Sequence, residues 1–225
     1  MIKLKYNSWK EITLNTFNKI KNIKITDELN QDEILQKNVE LLSILCDVTE
    51  DEIISLPLPK FKELLSSTEW LKDIPKVNIN NEYVINGKKY EVKRNLQAMT
   101  TAQYIDFQTL SKDKEKNFAN MLAIFLIPKG KTYAEDYDIT EVIEDIKNYF
   151  NIVDARSIMF FFILQFQTLT QVMLTYSIKQ MKKIAKKDKS KEITDKITEL
   201  EANLTQVKDL LKNGVGFFYL TQLAS

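Results

Sequence analysis

The side chains that most often do chemistry are nearly absent from this sequence. Its 225 residues contain no histidine and one cysteine, Cys46. Without histidine there is no imidazole base, no imidazole zinc ligand and no Ser-His or Cys-His nucleophile pair. A single cysteine excludes an intramolecular disulfide and a cysteine-based zinc cluster. Cys46 closes the apolar run Leu41-Leu42-Ser43-Ile44-Leu45, where a small buried hydrophobe is expected rather than a reactive thiol. The four glycines, Gly87, Gly130, Gly214 and Gly216, stand in turn contexts and form no phosphate-cradling loop. Glu135, Asp136, Asp138 and Glu141 gather carboxylates, the ligand type of a hard cation, but without EF-hand spacing. Helix capping and loop solvation account for them. The basic run from Lys182 to Lys191 is diluted by Asp188 and reads as a solvated face. Tyr83, Tyr90, Tyr104 and Tyr137 are scattered as core edges are, not gathered into a stacking platform. The expectation is a protein that is not an enzyme, with no catalytic residues, no cofactor and no metal.

The bulk numbers narrow the partners. Thirty-two basic residues stand against 31 acidic ones, so no global field draws the chain to nucleic acid or anionic lipid. Only Arg94 and Arg156 carry guanidinium groups, the usual bidentate readers of phosphate and guanine edges. No specific nucleic-acid recognition is expected. The N-terminus, Met1-Ile-Lys-Leu-Lys-Tyr6, lacks the apolar core of a signal peptide, so synthesis in a reducing cytoplasm is expected.

The elements that would position any site are mostly helices. The stretch Asp154–Lys183 organises them: Ile158–Leu164 has no polar residue, and the apolar run resumes at Val172-Met173-Leu174. Two glutamines near its midpoint are costly in lipid, so the stretch reads as the central core helix of a helical domain rather than a membrane span. Asp154 is expected to cap it and its terminal lysines to complement the dipole. Ahead of it, Ile2–Tyr6 alternates like a short strand, and Ser8 with Glu11 has capping-box spacing. Further helices are expected from Gln31, over Glu50–Ser55, from Pro59, from Thr100 or Thr101, over Phe118–Leu126 and from Asp138 to Phe150. Between them, Glu82–Lys93 holds two β-prone runs around Asn86-Gly87, the strongest short hairpin signal. The fold class is mainly α: a helical domain around one long apolar helix, with a small β-hairpin and a C-terminal amphipathic helix. The expected segments are an N-terminal helical lobe (1–75), the hairpin (76–95), a second helical lobe (96–185) and a C-terminal piece (190–225).

That last piece carries the candidate partner surface. Ile193, Ile197, Leu200, Leu204, Val207 and Leu211 recur at heptad spacing. The stripe fits either an amphipathic helix folding back on its own domain or a coiled-coil seam for a partner. Phe217, Phe218, Tyr219 and Leu220 form an aromatic tail that must dock within the fold or on a neighbour. Tyr83 and Tyr90 complete the set, through a hairpin able to extend a neighbour's sheet. An offset of 87 residues aligns Trp9, Ile12, Thr13 and Phe17 with Leu96, Met99, Thr100 and Tyr104. This suggests two related helical lobes flanking the hairpin.

The segments Trp9-Lys-Glu-Ile12-Thr13, Ile53-Ile-Ser-Leu56-Pro57-Leu-Pro59-Lys-Phe61, Trp70-Leu71, Tyr83–Tyr90 and Met99–Asp106 together resemble small helical morphogenesis and virion proteins of tailed bacteriophages of Bacteroidetes, crAss-like phages included. The resemblance covers roughly Lys5–Lys183. It implies a non-enzymatic structural protein of the neck, tail or portal-proximal region of the virion. Portal, neck or tail subunits would be its partners, in a homo-oligomeric ring without a membrane span. A tail assembly chaperone absent from the mature particle, or a packaged cargo protein, are the alternatives it leaves open.

Overall fold

The computed structural model describes residues 2–23, 29–72, 74–186 and 191–213, the last four by their backbone alone. Two compact units emerge, Met1–Ile158 and Met159–Tyr219. The boundary falls inside one helix, after Ile158.

In the first unit, α1 (Leu14–Asn22), α2 (Gln31–Cys46), α3 (Glu50–Ile54) and α4 (Leu58–Ser66) follow one another. The capping box at Thr49 forms as its spacing predicts: its hydroxyl accepts from the Glu52 N–H, and Glu52 accepts from the Thr49 N–H. Pro57 and Pro59 open α4, where a missing N–H costs nothing. Val39, Leu42, Cys46, Ile53, Phe61 and Leu64 form one buried cluster under these helices. Ile2 and Leu4 pack on that cluster. The alternation at the N-terminus is therefore real, but Lys5 and Tyr6 both donate to the Leu45 carbonyl and no strand forms. Ser8 caps nothing: Trp9–Glu11 is a 3-10 turn, and α1 starts only after Thr13, which accepts from the Thr16 N–H. The interruption has a tertiary cause. Ile12 accepts the Ile152 N–H at 2.8 Å, and Thr13 bridges Asn151, which holds Ile12 extended.

The hairpin consists of β1 (Glu82–Ile85) and β2 (Lys88–Val92), turned by Asn86 and Gly87 at φ 50° and 73°. Both positive angles are those of the type I′ turn that the Asn-Gly pair favours. Beyond it come α5 (Thr101–Leu110), capped by the Thr100–Gln103 box, and α6 (Phe118–Phe125). The chain then adds β3 (Leu126–Pro128), antiparallel to β2, beginning at Leu126 where the expected helix was to end. That third strand supplies the pairing an isolated hairpin needs. Glu82 and Glu91 stand directly opposite in β1 and β2, a like-charge pair relieved by Lys129 on Glu82 and Lys93 on Glu91. Next comes α7 (Ile139–Tyr149), capped by Asp138 through the Thr140 N–H. The 87-residue offset also relates the starts of three elements: Trp9 to Leu96, Leu14 to Thr101 and Gln31 to Phe118. The two series diverge afterwards, where α2 runs on and α6 yields to β3.

The long helix α8 spans Ile152–Ala185. Its cap is Asn151, which accepts the Asp154 N–H and donates to the Asp154 carboxylate; the start lies two residues ahead of the expected one. Ile152, Val153, Ala155, Ile158, Met159, Phe162, Ile163 and Phe166 are buried, but beyond them only Ile178 is. Just 28% of its most apolar window is covered, at a mean hydropathy of 1.5, so the helix is long and apolar enough to cross a membrane by composition. The helix is enclosed over its first four turns and covered on one side beyond them. In the second unit it continues toward α9 (Lys191–Asn213).

Candidate functional site

Three places on the molecule gather side chains that bear on function. The first is a buried polar knot. Asp145 on α7 is 4% exposed and accepts hydrogen bonds from Tyr90 Oη at 2.6 Å, Asn86 Nδ2 at 2.8 Å and Lys88 Nζ at 2.9 Å. Lys88 also donates to Glu141 at 2.6 Å. Burial pushes the Asp145 carboxyl up, but the bonds from Tyr90, Lys88 and Asn86 outweigh it and hold the group below the usual carboxylate range. Burial, then the bond to Asp145, pushes the Tyr90 phenol well above its ordinary value. Every donor is satisfied and the carboxylate is enclosed. The knot fastens the hairpin to α7 and offers no reactive group.

The second is a cleft of about 410 Å³ between the strand ends and α5, with Lys93, Arg94, Thr100, Gln103, Lys131 and Tyr133 among its walls. These groups mostly serve the fold. Lys93 pairs with Glu91 at 2.6 Å, Arg94 Nη2 donates to the Ile79 carbonyl, and Gln103 Nε2 donates to the Ile124 carbonyl at 3.0 Å. Tyr133 Oη donates to Asp106 at 2.9 Å. The lining holds no carboxylate, imidazole or thiol. Among the described residues no group of acidic, histidine or cysteine side chains is placed to hold a metal ion. Glu141, one of the acidic residues singled out by spacing, is occupied by Lys88.

The third place is the pair of helices in the second unit. On α9, Ile193, Ile197, Leu200, Leu204 and Val207 are partly covered, whereas every other described side chain of the helix is exposed. Leu164, Gln167, Gln171, Leu174, Ile178, Met181 and Ala185 on α8 are likewise shielded, at spacings alternating three and four. Both stripes have the heptad spacing of a coiled-coil seam, and an ion pair from Lys182 to Glu201 at 2.6 Å joins the helices. Gln167 and Gln171 are the polar positions in this stripe; the Gln167 Oε1 is buried and finds no donor among the described residues. The partial cover of the α9 stripe and this ion pair fit the intramolecular fold-back, one of the two readings that its spacing left open.

The opposite side of α8 is bare. Leu169, Val172, Met173 and Tyr176 are 44%, 61%, 59% and 63% exposed, and 100° per residue places them across the helix from the seam. Sequence reasoning missed this face because it assigned all of the apolar content of α8 to the core. The signal was available: the stretch has two apolar stripes, and one core consumes one. The other expected partner residues distribute differently. Tyr83 is 8% exposed, edge-on to Phe150 at 5.1 Å, its hydroxyl accepting the Asn80 N–H. Tyr90 is 1% exposed. Both rings belong to the core of the first unit, because the inward positions of β1 and β2 alternate onto it, and neither is on offer to a partner. The Leu211 side chain and Phe217, Phe218, Tyr219 and Leu220 lie outside the described residues. Comparison with protein-family models, curated proteins and solved structures finds no match for this chain.

Proposed function

We propose that the protein is a non-enzymatic structural subunit that works by packing against other proteins. Its place is the neck, tail or portal-proximal region of a tailed-phage virion, as a ring of fixed copy number against portal, neck or tail subunits. The observation that carries the packing role is the bare side of α8. Four large apolar side chains in one stripe, each 44% exposed or more, are a poor surface to leave in water and a good one to bury against protein. The enclosed Asp145 knot and a cleft lined by no carboxylate, imidazole or thiol fit the same reading. The phage setting comes from the sequence resemblance.

The test is quantitative mass spectrometry of purified virions from a host producing the protein, scaled to the major capsid protein. A small, constant copy number supports the ring; a variable or large number points to cargo. Replacing Met173 by Lys is expected to leave the chain folded and remove it from particles. Incorporation at the wild-type level would refute the packing role of this face. One observation favours a tail assembly chaperone as the second reading: the α9 stripe is only partly covered, as suits a surface that takes up a long helical client. Absence from mature particles would decide for it.

A further inference from the structure

The bare side of α8 has an internal symmetry that selects one partner. Its stripe consists of Gln165, Leu169, Val172, Met173, Tyr176 and Gln180, at successive spacings of four, three, one, three and four. The order reads alike from both ends about the midpoint between Val172 and Met173. An amide stands at each end, a large hydrophobe inside each amide, and an apolar pair at the centre. A two-fold interface between identical subunits demands this kind of self-complementary surface.

We propose that this side of α8 is the interface between two copies of the chain, packed antiparallel about a two-fold axis passing between Val172 and Met173. In that pairing Val172 meets the partner's Met173, Leu169 meets the partner's Tyr176, and Gln165 meets the partner's Gln180. Each amide both donates and accepts, so the end pairs satisfy one another twice over. The one charge within the span of the stripe is Lys179, which the two-fold axis sets level with the partner's Phe166, so no like charges are opposed. The flanking hydroxyls of Thr168, Thr170 and Thr175 donate to carbonyls four residues back at 2.8, 2.8 and 2.7 Å. Their donors are thus already occupied within the helix when a neighbour approaches.

The proposal rests on reading this face as a protein-packing surface and adds the identity of the partner. A bilayer, the other occupant that an apolar helix suggests, would leave the glutamine amides without partners; a second copy supplies them. The stripe runs roughly 22 Å at about 1.5 Å per residue, about two heptads, which places the dimer among small, concentration-dependent interfaces.

Sedimentation of the full chain from about 1 to about 100 µM is expected to show its mass rising from 26.3 kDa toward twice that value. Met173→Lys is expected to stay monomeric throughout with an unchanged circular dichroism spectrum. Cysteine cross-linking reads the orientation. A mixture of Leu169→Cys and Tyr176→Cys chains oxidises to a mixed dimer, while neither variant alone links to itself. Self-linking of each variant without the mixed species would mean a parallel pair and overturn the two-fold assignment. A chain that stays at 26.3 kDa, with its Val172→Cys thiol alkylated as fast as free cysteine, overturns the dimer and leaves packing against other proteins to the particle experiment. A monomer that floats with phosphatidylcholine vesicles overturns both.

Discussion

Removing the Asp145 carboxylate tests whether the buried knot holds the hairpin in place. In the native chain it accepts three hydrogen bonds, of which the one from Tyr90 is the shortest and the most enclosed. A hydrogen bond to a charged group is worth about 1.5–3 kcal/mol, and a buried donor left without an acceptor costs a further 1–3 kcal/mol or so. Tyr90→Phe takes away one donor and leaves Asp145 with two, for an expected loss of about 1.5 kcal/mol. Asp145→Ala strands the Tyr90 hydroxyl at 1% exposure, for an expected loss of about 3–4 kcal/mol. Lys88 adds little to that figure, since its side chain is 41% exposed and keeps Glu141. In the double variant no hydroxyl is stranded, so it should be no less stable than Asp145→Ala alone. Urea unfolding followed by the fluorescence of Trp9 and Trp70 gives all three values. For a chain of this size the alanine variant should also melt roughly 6–15 °C lower. Losses for the two single changes that simply add, or an alanine variant within about 0.5 kcal/mol of wild type, would refute the account of the knot.

The other expectations are shorter. The Asp145 carboxyl titrates below its ordinary value in the folded chain, so its stabilisation is complete above the unfolded pKa of about 3.9 and drains away as pH falls through the depressed folded value. Asp145→Asn should therefore flatten the acid limb of the stability–pH curve; an unchanged limb would count against the linkage. Phe162, 0% exposed, should not tolerate Asp: an unpaired charge there is expected to cost more than about 4 kcal/mol and abolish cooperative melting. Gly87 sits at φ 73° with open space around its Cα, so Gly87→Ala should cost about 1 kcal/mol from backbone strain alone, measured as a shift in the urea midpoint. Burial pushes the Cys46 thiol up, and an aromatic disulfide reagent should label it only on unfolding.

Local signals were the legible part of this fold. The Asn-Gly turn, the Thr49 box, the Thr100 box and the prolines of α4 each act within a few residues, and each forms where its spacing places it. What escaped was long-range. Ser8 and Glu11 have good box spacing, yet the bridge from Thr13 to Asn151 postpones α1. The apolar helix was expected to stop at Leu126, but nothing local marks Leu126–Pro128 as a strand; β2, far back in the chain, makes it one. Nothing near Asp145 in the sequence marks its burial, since its partners lie 55 to 59 residues away. Short apolar runs also do not say what they face. Tyr83 and Tyr90 alternate correctly for a hairpin, but which of its sides meets the core is a tertiary fact, and so is the division of α8 into an enclosed start and a bare continuation.

The separation between Tyr90 and Asp145 has a consequence for synthesis. A ribosome adding 5–20 residues each second needs roughly 3–11 s to travel the 55 residues between them. Through that interval the hairpin can close its turn, but Asn86, Lys88 and Tyr90 have no carboxylate to answer them, and β2 waits for Leu126. Ile12 waits longer still for its partner at Ile152. The first unit is thus stitched shut from its far end, and the nascent chain carries an unfinished sheet edge until almost all of that unit has been made. A chaperone that shields strand edges would meet the nascent chain at that stage.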